Sequence, residues 1–459
     1  MMPTTAFPGQ RANEVRAKPS QARLIVATSI GNGLEIFDFT VYSFFAAMIG
    51  AQFFPSGDPI TSLLFSVGTF GLGFLMRPLG AVLLGGYADR VGRRAAMTMT
   101  IWLMALGTAL IGLCPPYASI GVFAPVIVLL GRLLQGFAAG GEVGAATTYL
   151  MESGPSSRRG FYVSWQTTSQ AAAALVGAGF GMVLSQSLGQ DALYSWGWRI
   201  PFLVGLLVAP VGIYIRRALH DTHVGQTQPG TQEALPVIAL LREQGAVVVL
   251  GAFLIMGGTV SLYTLVYYMP SYLTRVMHMP PQTGFMSATV SALALLIVSP
   301  LSGLLADRLK SRKPLLLCTY GAMTALVMPV FLVVVHATPE SALLVVAAVA
   351  AFTAIMTVGG AAMVLMLLEA FPPAMRATGM ALPYAIAVTF FGGTAQFVVT
   401  WLIDRTGDPL SAGWYVQACC IASFIALLGL PRAPGRELIE KPYDPRRHER
   451  HVSQYFRPI

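Results

Sequence analysis

The chemistry open to this chain lies in a few ionisable residues set inside long apolar runs: Glu35, Asp38, Arg77, Arg132 and Glu142. A charge at bilayer depth costs roughly 3 kcal/mol even on the lenient insertion scale, so each needs a partner or a water-filled cavity. A carboxylate in such a place can bind and release a proton, because burial favours its neutral form and a neighbouring cation its charged form. Arginine keeps its proton, and its planar fork grips carboxylates through two parallel hydrogen bonds. The combination predicts that Arg77 or Arg132 alternates between a carboxylate of the chain and one on an anionic solute, with proton uptake on Glu35 or Asp38 freeing the arginine. Permanent ion pairs that only fix helix packing are the alternative.

Spacing supports a shared, inward face. Asn32, Glu35, Asp38 and Tyr42 follow one another by three, three and four residues, which stacks them on one side of a helix. Glu35 lies twelve residues past Arg23, about 18 Å of helix and hence near mid-depth. Arg77 lies twelve residues before Asp89 and precedes Pro78, which can open a gap in the backbone ladder. The six histidines fall in the central loop (His220, His223), near span ends (His278, His336) or in the tail (His448, His451), so carboxylates are left as the proton carriers. Cys114, Cys318, Cys419 and Cys420 have no paired spacing and read as packing residues, neither disulfides nor metal ligands. The glycines from Gly136 to Gly144 sit inside an apolar run with no strand before it, which excludes a nucleotide loop. With no metal cluster and no nucleophile beside a base, the chain is not expected to be an enzyme or to carry a cofactor.

The elements that must position these residues are membrane helices. The chain is 55% hydrophobic and 11% charged, where soluble proteins carry about 25% charged residues. Twelve apolar runs, near 24–50, 61–84, 95–113, 121–151, 161–187, 200–215, 245–272, 284–305, 314–336, 341–368, 380–403 and 412–430, match the 18 or more residues that cross about 30 Å of hydrocarbon. Of 29 Lys and Arg, twenty-four fall on the side an even number of spans assigns to both termini, which places the termini in the cytoplasm. The net charge of +9 is therefore topological and calls for no nucleic acid. The polar first twenty residues lack a secretory cleavage pattern and are expected to be retained.

The runs form an internal repeat. Gly85-x-x-x-Asp89-Arg90 recurs as Gly303-x-x-x-Asp307-Arg308, and Glu152 with Arg159 recurs as Glu369 with Arg376, at offsets of 218 and 217 residues. The organisation follows: a cytoplasmic arm over 1–22, a six-helix bundle over 23–217, a cytoplasmic linker over 218–243, a second six-helix bundle over 244–431 and a basic cytoplasmic tail over 432–459. Two such halves in parallel orientation imply a solute site between them near mid-membrane, opened to each side in turn by rocking. The repeated Gly85, Asp89, Arg90, Arg93, Glu152, Arg159, Asp307, Arg308, Glu369 and Arg376 sit at the cytoplasmic mouths, where they could latch a gate or serve only as orientation charge. The intramembrane charges break this symmetry, because their counterparts in the second half are Phe253, Met256, Leu295, Ala350 and Gly360.

Gly85-x-x-x-Asp89-Arg90-x-Gly92-Arg93-Arg94 resembles the loop signature of the major facilitator superfamily, and Gly31-Asn32-x-Leu34-Glu35-x-Phe37-Asp38-Phe39 resembles the first helix of its metabolite:proton symporter family. Arg77-Pro78-Leu79-Gly80, Arg132-x-x-Gln135-Gly136 and Gly197-Trp198-Arg199-Ile200-Pro201-Phe202 are similar to further motifs of that family. The run Gly160-Phe161-Tyr162-Val163-Ser164-Trp165-Gln166, with Ser169-Gln170, is similar to its citrate and tricarballylate branch. The resemblance implies an all-α membrane protein of twelve helices in two pseudo-symmetric six-helix bundles, the major facilitator fold, in the bacterial inner membrane. It also implies import of a di- or tricarboxylate with protons by a monomer whose partners are the small organic anion, protons and lipid, driven by the proton gradient without a cofactor. Together with the reading of the intramembrane residues, this makes Asn32, Tyr42, Arg77, Arg132, Gln135, Gln166 and Gln170 the expected substrate-binding set, with Glu35 and Asp38 for proton coupling; Gln166 and Gln170 could equally serve helix contact. The alternatives are a zwitterion such as proline or betaine, another acid such as 2-oxoglutarate or shikimate, and proton-coupled export.

Overall fold

With no water to satisfy its polar groups, a backbone in lipid must form helices or closed barrels. The computed structural model describes residues 21–91, 93–140, 150–151, 155–206, 237–371 and 376–430, and among these it is helical, with no strand. Eight helices are long and apolar enough to cross a membrane: Pro59–Leu84, Arg159–Ser187, Gln244–Tyr267, Pro281–Arg308, Lys313–Val335, Pro339–Ala370, Thr378–Thr406 and Ser411–Gly429. A further crossing is bent by 64° between Asn32–Phe44 and Ala46–Phe53, and Thr98–Gly112 and Phe123–Ala138 are shorter apolar helices. In chain order these are spans 1 to 5 and 7 to 12 of the expected twelve, and span 6 is helical as far as it is described, to residue 206. Large apolar side chains such as Val82, Trp102, Phe123, Leu301 and Leu343 are exposed on the outside, as a lipid-facing surface requires. The chain is a multi-pass membrane protein.

Several of the described spans depart from regular helix, three of them beside a proline. Span 2 breaks at Met76, whose N–H bonds back to Gly73 and Phe74, because Pro78 lacks the N–H that would continue the ladder. Span 7 passes through a π-helical turn over Leu262–Tyr267, ahead of Pro270, and span 11 through another over Ala387–Gly392, after Pro383. Such turns are rare and cluster at functional positions. In span 1 the break falls at Phe45, where no proline or glycine forces it. The helix leading into span 7 begins at Val237, within the expected linker, and kinks at Gln244. The apolar stretch Val237-Ile238-Ala239-Leu240-Leu241 explains why these residues are helical rather than loop.

The halves meet most closely along spans 5 and 8. On the linker side Gly160 and Gly303 let the two backbones touch, and Ser299 donates to the Ser164 carbonyl at 3.0 Å. The Asp307 carboxylate accepts from the N–H groups of Gly160 and Phe161 at 2.7 and 2.9 Å, so a residue of the second half caps the first turn of span 5. That turn carries unsatisfied donors and the positive end of the helix dipole, both of which favour a carboxylate. On the opposite side Gln282 donates to the Ser185 carbonyl at 2.8 Å, and Arg275 lies 5.0 Å from the Tyr194 ring. Between spans 2 and 11, Gly71 approaches the Gly393 carbonyl.

Among the expected gate residues, buried Glu369 pairs with Arg312, and Arg159 of the first half and Arg376 lie within electrostatic reach of it. Arg308 is exposed. Glu152, and the side chains of Asp89, Arg90 and Arg93 with the surroundings of Gly85, lie outside the described residues, as does Glu142. The close glycine contact is testable: a Cβ on Gly303 would lie 2.5 Å from the Gly160 carbonyl oxygen, whereas one on Gly179 would meet nothing within 4 Å. Thermal unfolding in detergent should show Gly303→Ala destabilised by about 1–3 kcal/mol and Gly179→Ala with no loss.

Candidate functional site

The intramembrane charges of the first half converge in two adjoining tiers. In the tier nearer the linker side, Arg77 Nη2 of span 2 lies 3.4 Å from Glu35 Oε1 of span 1, and both side chains are buried. Tyr263 of span 7 and Tyr384 of span 11 lie within electrostatic reach of both members of this pair. Gln170 of span 5 hydrogen-bonds Tyr384. The Glu35–Arg77 pair therefore stands at the seam between the halves, with uncharged polar side chains of the second half opposite it.

One helical turn along span 1, the second tier is a chain of hydrogen bonds through three helices. Arg132 Nη1 donates to Gln135 Oε1 at 2.7 Å, Gln135 Nε2 donates to Thr108 Oγ1 at 2.9 Å, and the Thr108 hydroxyl donates to Asp38 Oδ2 at 2.6 Å. The network closes because spans 3 and 4 touch at Gly107 and Gly131, and spans 2 and 4 at Gly73 and Gly136, where a Cβ would strike backbone. Arg132 is fully buried, and its Nε and Nη2 have no hydrogen-bond partner among the described residues. Three rings face its guanidinium instead: Tyr42 at 4.4 Å, Phe39 at 4.7 Å and Phe70 at 4.9 Å. The Arg77 guanidinium lies 4.7 Å from the same Phe39 ring and 4.4 Å from the Phe74 ring. One ring, Phe39, thus serves both guanidiniums, and its quadrupole stabilises cations that the low-dielectric surroundings do not.

Glu35, Asp38, Tyr42, Arg77, Arg132 and Gln135 are brought together, as their pattern suggested. Asn32 is engaged elsewhere, donating to the Gln166 carbonyl at 3.1 Å and the Ser169 hydroxyl at 2.8 Å, a staple between spans 1 and 5. Gln166 is buried at the same seam. Tyr42 also donates to the Ser66 carbonyl at 3.2 Å. Sequence reasoning missed Thr108, Phe39, Phe70 and Phe74, and on the second half Tyr263, Tyr267 and Tyr384. It searched for charge, whereas the second half contributes tyrosines and carbonyls. The Tyr263-x-x-x-Tyr267-Tyr268 run just before Pro270 was the available signal, polar rings clustered in an apolar span next to a helix breaker. Around the π turn, Ser43 of span 1 donates to the Tyr267 carbonyl at 3.1 Å, and Gln396 of span 11 donates to both Ser43 and the Tyr263 carbonyl.

Comparison with known proteins gives the family and the fold. The family model described as Major Facilitator Superfamily matches residues 28–387. The chain is 36% identical over 408 residues to a citrate-proton symporter of Klebsiella pneumoniae, covering 89% of this chain and 91% of that one. It is 35% identical to an alpha-ketoglutarate permease of Escherichia coli, covering 89% and 93% of the two chains, and 32% identical to a proline/betaine transporter of Salmonella typhimurium, covering 91% and 84%. The crystal structure of a D-xylose-proton symporter superposes with a TM-score of 0.69 at 16% identity, covering 90% of this chain and 99% of that one, a likeness of fold.

The shared ring gives a second test. Phe39→Leu keeps an apolar side chain but removes the π face from both arginines, and should lower stability in detergent by about 2 kcal/mol or more. Phe39→Tyr, which keeps the face, should cost less than half as much in the same thermal-unfolding measurement.

Proposed function

The chain belongs to the Major Facilitator Superfamily, and from that membership we propose that it imports a small organic anion, a di- or tricarboxylate such as citrate or tricarballylate, together with protons by alternating access. The observation that carries this reading is the Glu35–Arg77 pair at the seam of the two halves. A carboxylate solute competes with Glu35 for the Arg77 fork, and it offers the better match when a proton has neutralised a span-1 carboxylate. Uptake of anion and proton then reinforce each other, which is the linkage a symporter needs. Tyr263, Tyr384 and Gln170 offer hydroxyl and amide groups to the rest of the solute, while Gln135 holds Arg132 and Asn32 with Gln166 fixes span 5 beside them. The similarity to citrate-proton symporters supports the choice of carboxylate.

In this reading the linker side faces the cytoplasm of a bacterium, with both termini on that side of the inner membrane, and the chain works as a monomer without a cofactor. Asp307 on span 5 and Glu369 among Arg312, Arg159 and Arg376 latch the cytoplasmic side, and part when the halves rock. A second reading, a zwitterion such as proline or betaine, is favoured by the wall of rings from Phe39, Phe70 and Phe74 to Tyr263, whose faces could take a quaternary ammonium beside the arginine. Both substrate types carry a carboxylate for Arg77, so competition by unlabelled betaine and proline against labelled citrate separates them.

Proteoliposomes with an acid exterior should accumulate radiolabelled citrate. Arg77→Lys, which keeps the charge but loses the fork, should raise the half-saturating citrate concentration roughly 10- to 100-fold. At least one of Glu35→Gln and Asp38→Asn should abolish accumulation driven by the gradient while preserving exchange of internal for external citrate. Full accumulation in both variants would remove the proton-coupling role from span 1.

A further inference from the structure

The Thr108 hydroxyl has one hydrogen and two acceptors in reach, Asp38 Oδ2 at 2.6 Å and the carbonyl of Met104, one turn back on its own helix, at 3.0 Å. Its oxygen also accepts from Gln135 Nε2, and the direction of that bond is fixed. Arg132 can only donate, so Gln135 must turn its amide oxygen to Arg132 and its NH2 to Thr108. Thr108 therefore donates onward, and while it donates to Asp38, Oδ2 must be an unprotonated acceptor. When Oδ2 binds a proton the same contact can persist only if Asp38 donates to Thr108 and the Thr108 hydrogen turns to Met104. The hydroxyl then accepts from both Asp38 and Gln135, within its two lone pairs, and neither the Asp38 proton nor the Thr108 hydrogen is left without a partner.

From this we infer that Asp38 is the proton-binding carboxylate of the chain and that Thr108 is its positioning residue, a two-way hydroxyl that satisfies Asp38 in both protonation states. The inference rests on the symport reading above and deepens it by dividing the labour between the tiers. Glu35 has an arginine against it and competes with solute, whereas Asp38 has a neutral, reversible partner and is sealed within the first half. Among the described residues, groups facing Asp38 from the neighbouring helices are few. Span 3 presents Thr108 and span 4 the Arg132 charge, and on span 1 itself Glu35 lies one turn away, paired with Arg77 of span 2. Span 6 presents the backbone of Gly205, where a Cβ would lie 3.0 Å from Asp38 Oδ1. Span 5 meets span 1 through Ser169 and the Gln166 carbonyl, on Asn32, and through Gly177, against Val41 and Phe44, none of which titrates.

The test needs no knowledge of the solute. Infrared difference spectra of the purified full chain in lipid, titrated with pH, should show a carboxyl band that Asp38→Asn removes. Thr108→Val keeps the shape and deletes the hydroxyl, so the ionised carboxylate loses its donor and the midpoint of the Asp38 band should move up by about one pH unit, a tenfold change in proton affinity. Thr108→Ser, which restores the hydroxyl, should bring the midpoint back to the wild-type position. A merely structural threonine would alter stability in Thr108→Val without moving the midpoint, and that result overturns the inference, as does a titrating band that survives Asp38→Asn. Thr108→Ala serves in the same way should the valine variant not fold. Citrate uptake into proteoliposomes distinguishes the two levels of reading. Wild-type uptake indifferent to the gradient defeats the symport reading and the inference with it. Gradient-driven wild-type uptake whose pH profile coincides with that of Thr108→Val defeats the inference alone.

Discussion

The organisation of this protein follows from one constraint: a guanidinium that cannot shed its charge must be held inside a body surrounded by lipid. Arg132 is fully buried, and among the described residues only one of its donors reaches a side-chain acceptor, Gln135. The remaining stabilisation comes from the faces of Phe39, Tyr42 and Phe70 and from the Asp38 carboxylate acting through space. A cation so placed binds weakly enough to any single partner that a better one can displace it, yet it is never left in hydrocarbon. The close glycine crossings exist for the same end. Gly73 against Gly136 and Gly107 against Gly131 bring spans 2, 3 and 4 near enough for short side chains such as Thr108 to complete the network. Larger residues at these crossings would hold the helices apart and strand the charge.

Arg77 meets the constraint differently, and the difference gives the site its direction. Its carboxylate partner belongs to the first half, but tyrosines of the second half stand opposite, so in the proposed mechanism the pair is the point at which one half senses the other. The second half brings no intramembrane charge to this seam among its described residues. It supplies hydroxyls from Tyr263 and Tyr384, and it exposes carbonyls where π turns replace the regular ladder, of which Tyr263 and Tyr267 are taken by Gln396 and Ser43. Polarity that is dipolar rather than ionic costs less to move past a fixed charge, which suits the half that must change its relation to the first.

Much of this was legible in the sequence. The crossings were, because runs of apolar residues have no stable form in lipid except the helix, and most of the described spans fall within a few residues of the expected ones, spans 1 and 4 excepted. Glu35, Asp38, Arg77 and Arg132 were legible as a group because charge in a membrane is rare enough to demand a reason. Their partners were not. Thr108 lies in an apolar span where a threonine normally satisfies its hydroxyl on the preceding turn, as this one can with Met104, so nothing marks it before the helices are packed. The bend at Phe45 has no proline or glycine to announce it. Arg312 as the direct partner of Glu369 was hidden by the repeat itself, since the first-half pattern directed attention to Arg376. Asn32 was assigned to the solute because it shares a helical face with Glu35, but a face of a helix in a bundle is wide enough to meet two neighbours, and this amide meets span 5.

In the proposed rocking motion, the two carboxylate contacts on the linker side act as latches that tie the site to the movement. Asp307 caps span 5 across the seam, and Glu369 gathers Arg312 and Arg376 of its own half with Arg159 of the other. Asp307 accepts from N–H groups at the start of span 5, and Glu369 lies within electrostatic reach of Arg159 there, so in the proposed motion both contacts change as that helix end moves. Span 5 also carries Gln166, Ser169 and Gln170, which touch Asn32 on span 1 and Tyr384 on span 11. A change at the Glu35–Arg77 pair that displaces Tyr384 therefore pulls on the helix whose end is latched some 10 to 15 Å away, at 1.5 Å per residue. The coupling needs no wire of special residues: one rigid helix that touches the site at its middle and the gate at its end transmits the displacement directly.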